Sequence, residues 1–297
     1  MHSPSTSGPA GPRESIFSID VEDWFHILDV PSTPPPTAWD DLPSRVEANF
    51  LRLLDLLEQT GVRSTCFFLG YVAARFPRLP REAARRGHEV ASHGYNHQLV
   101  HSQTRAEFLA DVARAKHVLE DTIGAAVDGY RSPGFSLSEG TGWFFEALLE
   151  AGYRYDSSVF PAAHGHGGLK TARTAPHWRS YPSGRLGEFP ISVTETLGRR
   201  MCFFGGGYLR LFPYAAIRHM ARRVERDGRP VVFYIHPREI DPDHPRLPMS
   251  AVRRFKSYVN LDTTEAKLRH IFRDFRLTTF RDFLSRHGAE LADERFH

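Results

Sequence analysis

Two of the sixteen histidines stand four residues apart in the run His93-Gly-Tyr-Asn-His97. On a helix that spacing puts both imidazoles on one face, where they can reach a single metal ion. A lone histidine is ordinarily a structural or surface residue. This pair gains weight because it directly follows an expected strand and can share a site with an acidic cluster. That cluster, Asp20-Val-Glu22-Asp23, puts three carboxylates into four residues at the end of a short apolar run. A solvated turn is the common explanation of such a cluster, but here a buried strand precedes it and the bulky Trp24 and Phe25 follow. Two histidines and one carboxylate leave coordination positions open on Zn²⁺ or a similar divalent ion, as hydrolytic chemistry requires. His101, four residues further on, falls just beyond such an ion.

Two more positions carry chemistry if they reach the same place. In Tyr130-Arg131-Ser-Pro133-Gly134-Phe135, Pro-Gly alone would signal an ordinary turn. An arginine at a strand end, however, can pair with a buried carboxylate and fix its orientation. In Val231-Val-Phe-Tyr-Ile-His236-Pro237 a histidine closes an apolar strand, where a neutral imidazole can act as general acid or base.

These residues need a scaffold that gathers strand ends on one rim. Short apolar runs at Ile16–Asp20, Thr65–Leu69, Glu89–Ser92 and Val231–Ile235 alternate with helical patterns. Val46, Phe50, Leu53, Leu54 and Leu57 recur at helical spacing up to Gly61, with Ser44 and Glu47 spaced as a capping box. Thr104 with Glu107 opens a helix that ends near Gly124; Trp143–Glu150 is helical and stops at Gly152. A helix broken by Pro77 and Pro80, one from Pro213 to Gly228, one capped by Asp262 with Glu265, and a strand near Leu277–Phe280 complete the series. Such alternation implies a parallel sheet with helices outside it, an open doubly wound sheet or a closed barrel. The Gly-, Pro- and His-rich stretch from Tyr153 to Gly207 fits poorly and is expected to form loops or short antiparallel strands over the mouth.

Composition agrees with an enzyme-sized domain. The chain has 297 residues, 41% hydrophobic and 12% aromatic, with 38 basic against 35 acidic side chains and a formal charge of +3. The arginine pairs are short and scattered, which excludes a nucleic-acid footprint. Cys66 and Cys202 lie among apolar neighbours and do not make a disulfide framework. No run approaches the roughly 20 apolar residues of a membrane helix. Met1–Pro12 lacks an apolar signal core, so a cytoplasmic location is expected. Residues 1–14 read as a tail, 15–286 as one domain and 287–297 as a second tail.

Taken in order, the motifs resemble the polysaccharide deacetylase superfamily, carbohydrate esterase family four with its chitooligosaccharide-deacetylase homology domain. Asp20–Asp23 resembles the first motif, His93 and His97 the metal pair of the second, and Arg131-Ser-Pro-Gly the third. Tyr155-Asp156-Ser-Ser resembles the fourth and Tyr234-Ile-His236 the fifth. Val21 separates the usually adjacent acids, Gly134 stands where a Tyr is usual, and Phe160 where a Trp is. Phe255-Lys-Ser-Tyr-Val-Asn-Leu-Asp-Thr-Thr and Gly205-Gly-Gly-Tyr208 resemble a subfamily associated with exosortase-type exopolysaccharide loci, whose C-terminal extension would span about 241–286.

The resemblance implies a distorted (β/α) barrel, a single domain with a loop insertion and that extension. It implies a divalent ion, Zn²⁺ first and Co²⁺, Ni²⁺ or Mn²⁺ as alternatives, held by His93, His97 and an acid, Glu22 in preference to Asp23. Asp20, oriented by Arg131, would be the base and His236 the acid that protonates a leaving amine. A backbone N–H near Gly134 would help hold the oxyanion, with Phe135, Asp156 and Tyr208 as further oxyanion or substrate contacts. The implied partner is an N-acetylated oligo- or polysaccharide that loses acetate. Rival readings are hydrolysis of a small cyclic amide on the same fold, against which the retained Asp20 argues, and carbohydrate binding without catalysis.

Overall fold

The computed structural model describes residues 14–28, 30–163, 165–196 and 198–296. In chain order the elements are β1 (Ser15–Val21), α1 (Val46–Thr60), β2 (Thr65–Phe68), α2 (Gly70–Arg75), α3 (Arg78–Arg85), β3 (Glu89–Ser92), α4 (Arg105–Ile123) and β4 (Gly129–Tyr130). There follow α5 (Phe144–Glu150), β5 (Tyr155–Asp156), β6 (His177–Tyr181), β7 (Gly184–Glu188), β8 (Thr194–Thr196), β9 (Arg199–Met201), α6 (Gly206–Leu211), α7 (Tyr214–Arg226) and β10 (Val232–Ile235). The chain ends with α8 (Ala251–Tyr258), α9 (Thr264–Asp274), β11 (Leu277–Thr278), α10 (Phe280–His287) and β12 (Ala292–Arg295).

The main sheet runs β10-β1-β2-β3-β4-β5-β7-β6-β12, with β11 also against β1. Its pairings are parallel except β6 with β7. Helices cover its outer side, giving the distorted (β/α) barrel expected from the motifs. The insertion after β5 supplies the antiparallel β6–β7 and the separate β8–β9 pair. Residues 292–295, expected in a C-terminal tail, instead form a strand parallel to β6.

Strand period decides what each face carries. On β1, Phe17, Ile19 and Val21 join the core under the helices, while Ile16 packs inside the barrel with Phe67, Tyr155, Val232 and Phe280. Ser18 and Asp20 continue that inner row, so it turns from apolar to acidic toward the strand's C-terminal end. The same alternation on β10 sends Phe233 and Ile235 outward and Val232 and Tyr234 inward. His236 is the next inner position.

Helix ends are set by different devices. Gly61 closes α1 at φ 66°, a left-handed cap that glycine adopts without a Cβ penalty. The Thr104–Glu107 capping box forms as expected. The Ser44–Glu47 box does not: α1 starts from Arg45 without a side-chain cap, because the Ser44 hydroxyl donates to Asp23 Oδ2 at 2.5 Å. Asp262 likewise fails to cap α9, which starts from Thr263, and Glu265 instead pairs with Arg52 and Arg269.

Candidate active site

The C-terminal ends of β1, β3, β4 and β10 bring Asp20, Glu22, His93, Arg131 and His236 to one rim, and the loop after β3 adds His97. One donor atom each of Glu22, His93 and His97 lies within 4.8 Å of the others, and all three side chains are buried. His97 Nε2 is 2.9 Å from Glu22 Oε2. His93 Nδ1 is 2.8 Å from the Arg131 carbonyl, which can only accept; Nδ1 therefore carries the proton and Nε2 keeps its lone pair. Burial pushes the His93 imidazolium down to about 4, with Asp20 opposing, so the ring is neutral, as a ligand must be. This donor set fits a divalent cation.

The two histidines do not sit on a helix. Residues 93–97 are a loop, with Gly94 at φ 75° and His97 at φ 54°. Asp111 on α4 clamps it by accepting from Tyr95 N (2.8 Å) and Asn96 N (3.1 Å). A Cβ on Gly94 would meet Asp111 Oδ2 at 2.9 Å, so this turn needs glycine on two counts. His101 is exposed and outside the cluster.

Arg131 is wholly buried. Its Nη1 donates to Asp20 Oδ1 (2.7 Å) and Ser18 Oγ (2.9 Å), Nε to Ser157 O and Nη2 to Ser157 Oγ. The guanidinium lies 4.2 Å from the Phe67 ring centroid. Asp23 is used elsewhere: its carboxylate caps Trp24 N and accepts from Ser44, Arg45 N and Val46 N, which ties the β1 exit to α1. Glu22, not Asp23, faces the histidines.

His236 Nε2 is 2.9 Å from Glu22 Oε1 and 3.9 Å from Asp20 Oδ2. Burial alone would lower its affinity for a proton, but the carboxylates of Glu22 and Glu239 outweigh it and push the imidazolium up to about 10. Glu22 itself is raised by burial but held well below the carboxylate range by His97 and His236. A cation bound beside Glu22 would compete for that carboxylate and loosen its hold on the His236 proton.

Two partners of His236 are absent from the motif reading. Glu239 Oε2 accepts from His236 N (3.0 Å) and lies 3.3 Å from Nδ1, and Glu239 Oε1 is 2.8 Å from Arg210 Nε. Arg210 is itself buried and donates to Ser257 O (2.6 Å) and Lys256 O (3.1 Å). The spacing His236-Pro237-x-Glu239, a capping box with proline in the first turn, was the available signal for Glu239. His26 is the other omission: it is buried, its ring centroid is 5.6 Å from that of His97, and its Nδ1 accepts from Asp23 N.

The positions expected to touch substrate divide. Gly134 and Phe135 form a turn at φ 62° and 50° beside the site, and the Phe135 N–H donates to Ser132 O. The Phe135 ring stacks edge-on with Tyr234, 5.0 Å between centroids. Asp156 is not at the cluster: its carboxylate accepts from Ser158 Oγ (2.5 Å) and N (3.0 Å) and pairs with Glu188 in the interior. Tyr208 sits on α6, 42% exposed.

The polysaccharide deacetylase family model matches residues 37–155, and a domain of unknown function (DUF3473) matches 157–285. Residues 37–155 thus carry the likeness to polysaccharide deacetylases. The deacetylase match contains His93, His97 and Arg131, while Asp20 and Glu22 precede it and His236 lies in the second match. A peptidoglycan deacetylase of Helicobacter pylori is 29% identical over 113 residues, 38% of each chain. A peptidoglycan-N-acetylglucosamine deacetylase of Bacillus cereus is 29% identical over 82 residues, 28% of this chain and 30% of that protein. The chain thus spans well under half the length of these curated relatives. A Mycobacterium smegmatis structure described as a polysaccharide deacetylase superposes at TM-score 0.62 with 20% identity over 98% of both chains. An allantoinase does so at 0.61 with 16% identity, over 97% of this chain and 94% of its own. At such identities these two establish the fold and no more.

Proposed function

We propose that this chain is a metal-dependent hydrolase that removes N-acetyl groups from amino sugars of a bacterial oligo- or polysaccharide, releasing acetate. One observation carries the reading. A buried Glu22–His93–His97 triad is flanked by a carboxylate locked to an arginine and by a histidine on its other side. Glu22, His93 and His97 would hold the ion, Zn²⁺ by the preference of mixed imidazole and carboxylate donors. When bound, that ion supplies charge to polarise the amide carbonyl and acidify a water.

The chain's own residues do the rest. Asp20, held as an acceptor by Arg131, takes the proton of the attacking water. His236 gives a proton to the amine nitrogen as the carbon–nitrogen bond breaks, which an amine needs to leave. Glu239 fixes the ring's Nδ1 side so that Nε2 points at the reacting centre. The turn at Gly134 and Phe135 borders the carbonyl oxygen's place. The relatives named above act on peptidoglycan by their names; the subfamily resemblance of the C-terminal segment favours an exopolysaccharide here.

The test is acetate release from a panel of N-acetylated oligosaccharides before and after chelation. Activity should vanish on chelation and return with Zn²⁺, Co²⁺, Ni²⁺ or Mn²⁺. Full activity after complete metal removal, or no acetate from any member while a cyclic amide is opened, overturns the reading.

A further inference from the structure

Among the described residues the exposed large apolar side chains are Tyr208 (42%), Leu211 (40%), Val252 (67%) and Phe255 (55%). All four lie on α6 and α8, far apart in sequence and packed together. Gly207 lets the helices close, since a Cβ there would come within 2.9 Å of Lys256 O, and buried Arg210 bonds across to Lys256 O and Ser257 O. The two helices therefore make one fixed platform. It stands on the C-terminal rim: Gly205, just before α6, bridges to Tyr234 on β10, and Arg253 on α8 donates to Leu28 O in the loop after β1.

Charge marks the same platform. Arg246, Arg253, Arg254 and Lys256 lie on α8 and the segment leading into it, and no acidic residue occurs between Asp243 and Asp262. Arg246, Arg254 and Lys256 are exposed, and none of the four makes an ion pair within the described residues. Clustered apolar side chains next to unpaired cations are the composition that sits in the headgroup layer of an anionic bilayer. A carbohydrate chain would ask for carboxylates between flat rings, whereas the charged residues of α8 and its approach are all cations. A second copy docked by this face about a twofold axis would set four unpaired cations against four.

We infer that the α6–α8 platform docks on an anionic membrane surface, holding the mouth of the site toward the headgroups. Val252 and Phe255 enter the interface, and Arg246, Arg254 and Lys256 meet lipid phosphates. Each such cation contributes about fivefold to partitioning, and salt weakens the total.

Co-sedimentation of the full chain with vesicles tests this, using phosphatidylcholine alone and phosphatidylcholine with phosphatidylglycerol. Binding should require phosphatidylglycerol and fall as salt rises. R254A/K256A should lower the partition by about 25-fold, two cations at about fivefold each, and V252S/F255S by at least about tenfold. Because these side chains are exposed, melting temperatures should stay at the wild-type value, separating docking from folding. No binding to anionic vesicles at low salt overturns the inference, as does binding that V252S/F255S leaves intact. So does a dependence on Val252 and Phe255 found only in retention on an N-acetylated polymer or in self-association. None of these readouts needs the chain to be a deacetylase.

Discussion

On the Asp20 flank, fixation comes from inside the sheet: Arg131 is buried among aromatic rings and hydrogen-bonded to neighbours on β1 and beyond β5. On the His236 flank it comes from outside. Glu239 follows β10 in a short turn, and its partner Arg210 is seated by carbonyls of α8. The first flank therefore stands or falls with the barrel, whereas the second can be disturbed from a segment that adds little to the barrel core. Asp20 is held from within the fold, and His236 by an attachment to it.

The largest effect should be common to both flanks. His93→Ala removes a central donor, so metal content and acetate release should disappear together while far-UV circular dichroism is retained. A variant that keeps full metal would displace His93 from the ligand set.

The next pair of changes divides the flanks. Asp20→Asn should lower turnover by about 10²–10⁴-fold on amide and aryl acetate alike, since both need an activated water. His236→Ala should cost a similar factor on the amide but far less on the aryl acetate, because a phenolate leaves without a proton. Equal losses on both substrates at full metal occupancy would remove His236 from the acid role and leave it a strand-closing residue beside Pro237.

Stability should then separate what turnover alone does not. Arg131→Ala leaves the Asp20 carboxylate buried without its partner, a change that costs roughly 3–5 kcal/mol, read from urea midpoints. Turnover of the folded fraction should drop with the ion still bound. Glu239→Gln is expected to be milder, about tenfold on the amide, equivalent to ~1.4 kcal/mol, with the aryl acetate little changed. If Glu239→Gln lowered both substrates in proportion, the carboxylate would only support the fold.

How far the sequence revealed this depends on the period of each signal. Asp20, His93 and His236 were legible because each lies at or just past the end of a strand recognisable by composition, whereas Arg131 follows a two-residue strand and was legible through its motif. Barrel rather than open sheet came from the motif resemblance, since alternation of elements is the same in both. The loop at His93–His97 was misread as helical because a spacing of four suits a helix, whereas Gly94 at positive φ and the clamp of Asp111 are set by tertiary contact. Ser44 followed by Glu47 looked like a cap, but Asp23 competes for the hydroxyl from another segment. Arg210 and Glu239 are 29 positions apart and meet only after α8 is in place. No local pattern encodes that pairing.

The smallest effect on turnover belongs to Asp156, which lies under the Asp20 flank next to Ser157, the residue that holds Arg131. Burial raises its carboxyl to about 6, against hydrogen bonds from Glu188 and Ser158, and burial beside Asp156 raises Glu188 well above its ordinary range. Two carboxyls in one dry pocket cannot both ionise cheaply, so the folded chain keeps a proton there that the unfolded chain gives up. The sign follows: a raised folded value means stability fully present below the unfolded pKa near 3.8 and lost as pH rises through about 6. Asp156→Asn replaces that proton by an amide N–H that donates to Glu188 at any pH. Urea midpoints between about pH 4 and pH 7 should therefore decline less steeply in the variant, while amide turnover at neutral pH stays close to wild type. Parallel midpoint curves would show that the pair stores no proton. A large loss of turnover with metal retained would instead return Asp156 to the substrate side of the site, and the base flank would then no longer be fixed by Arg131 alone.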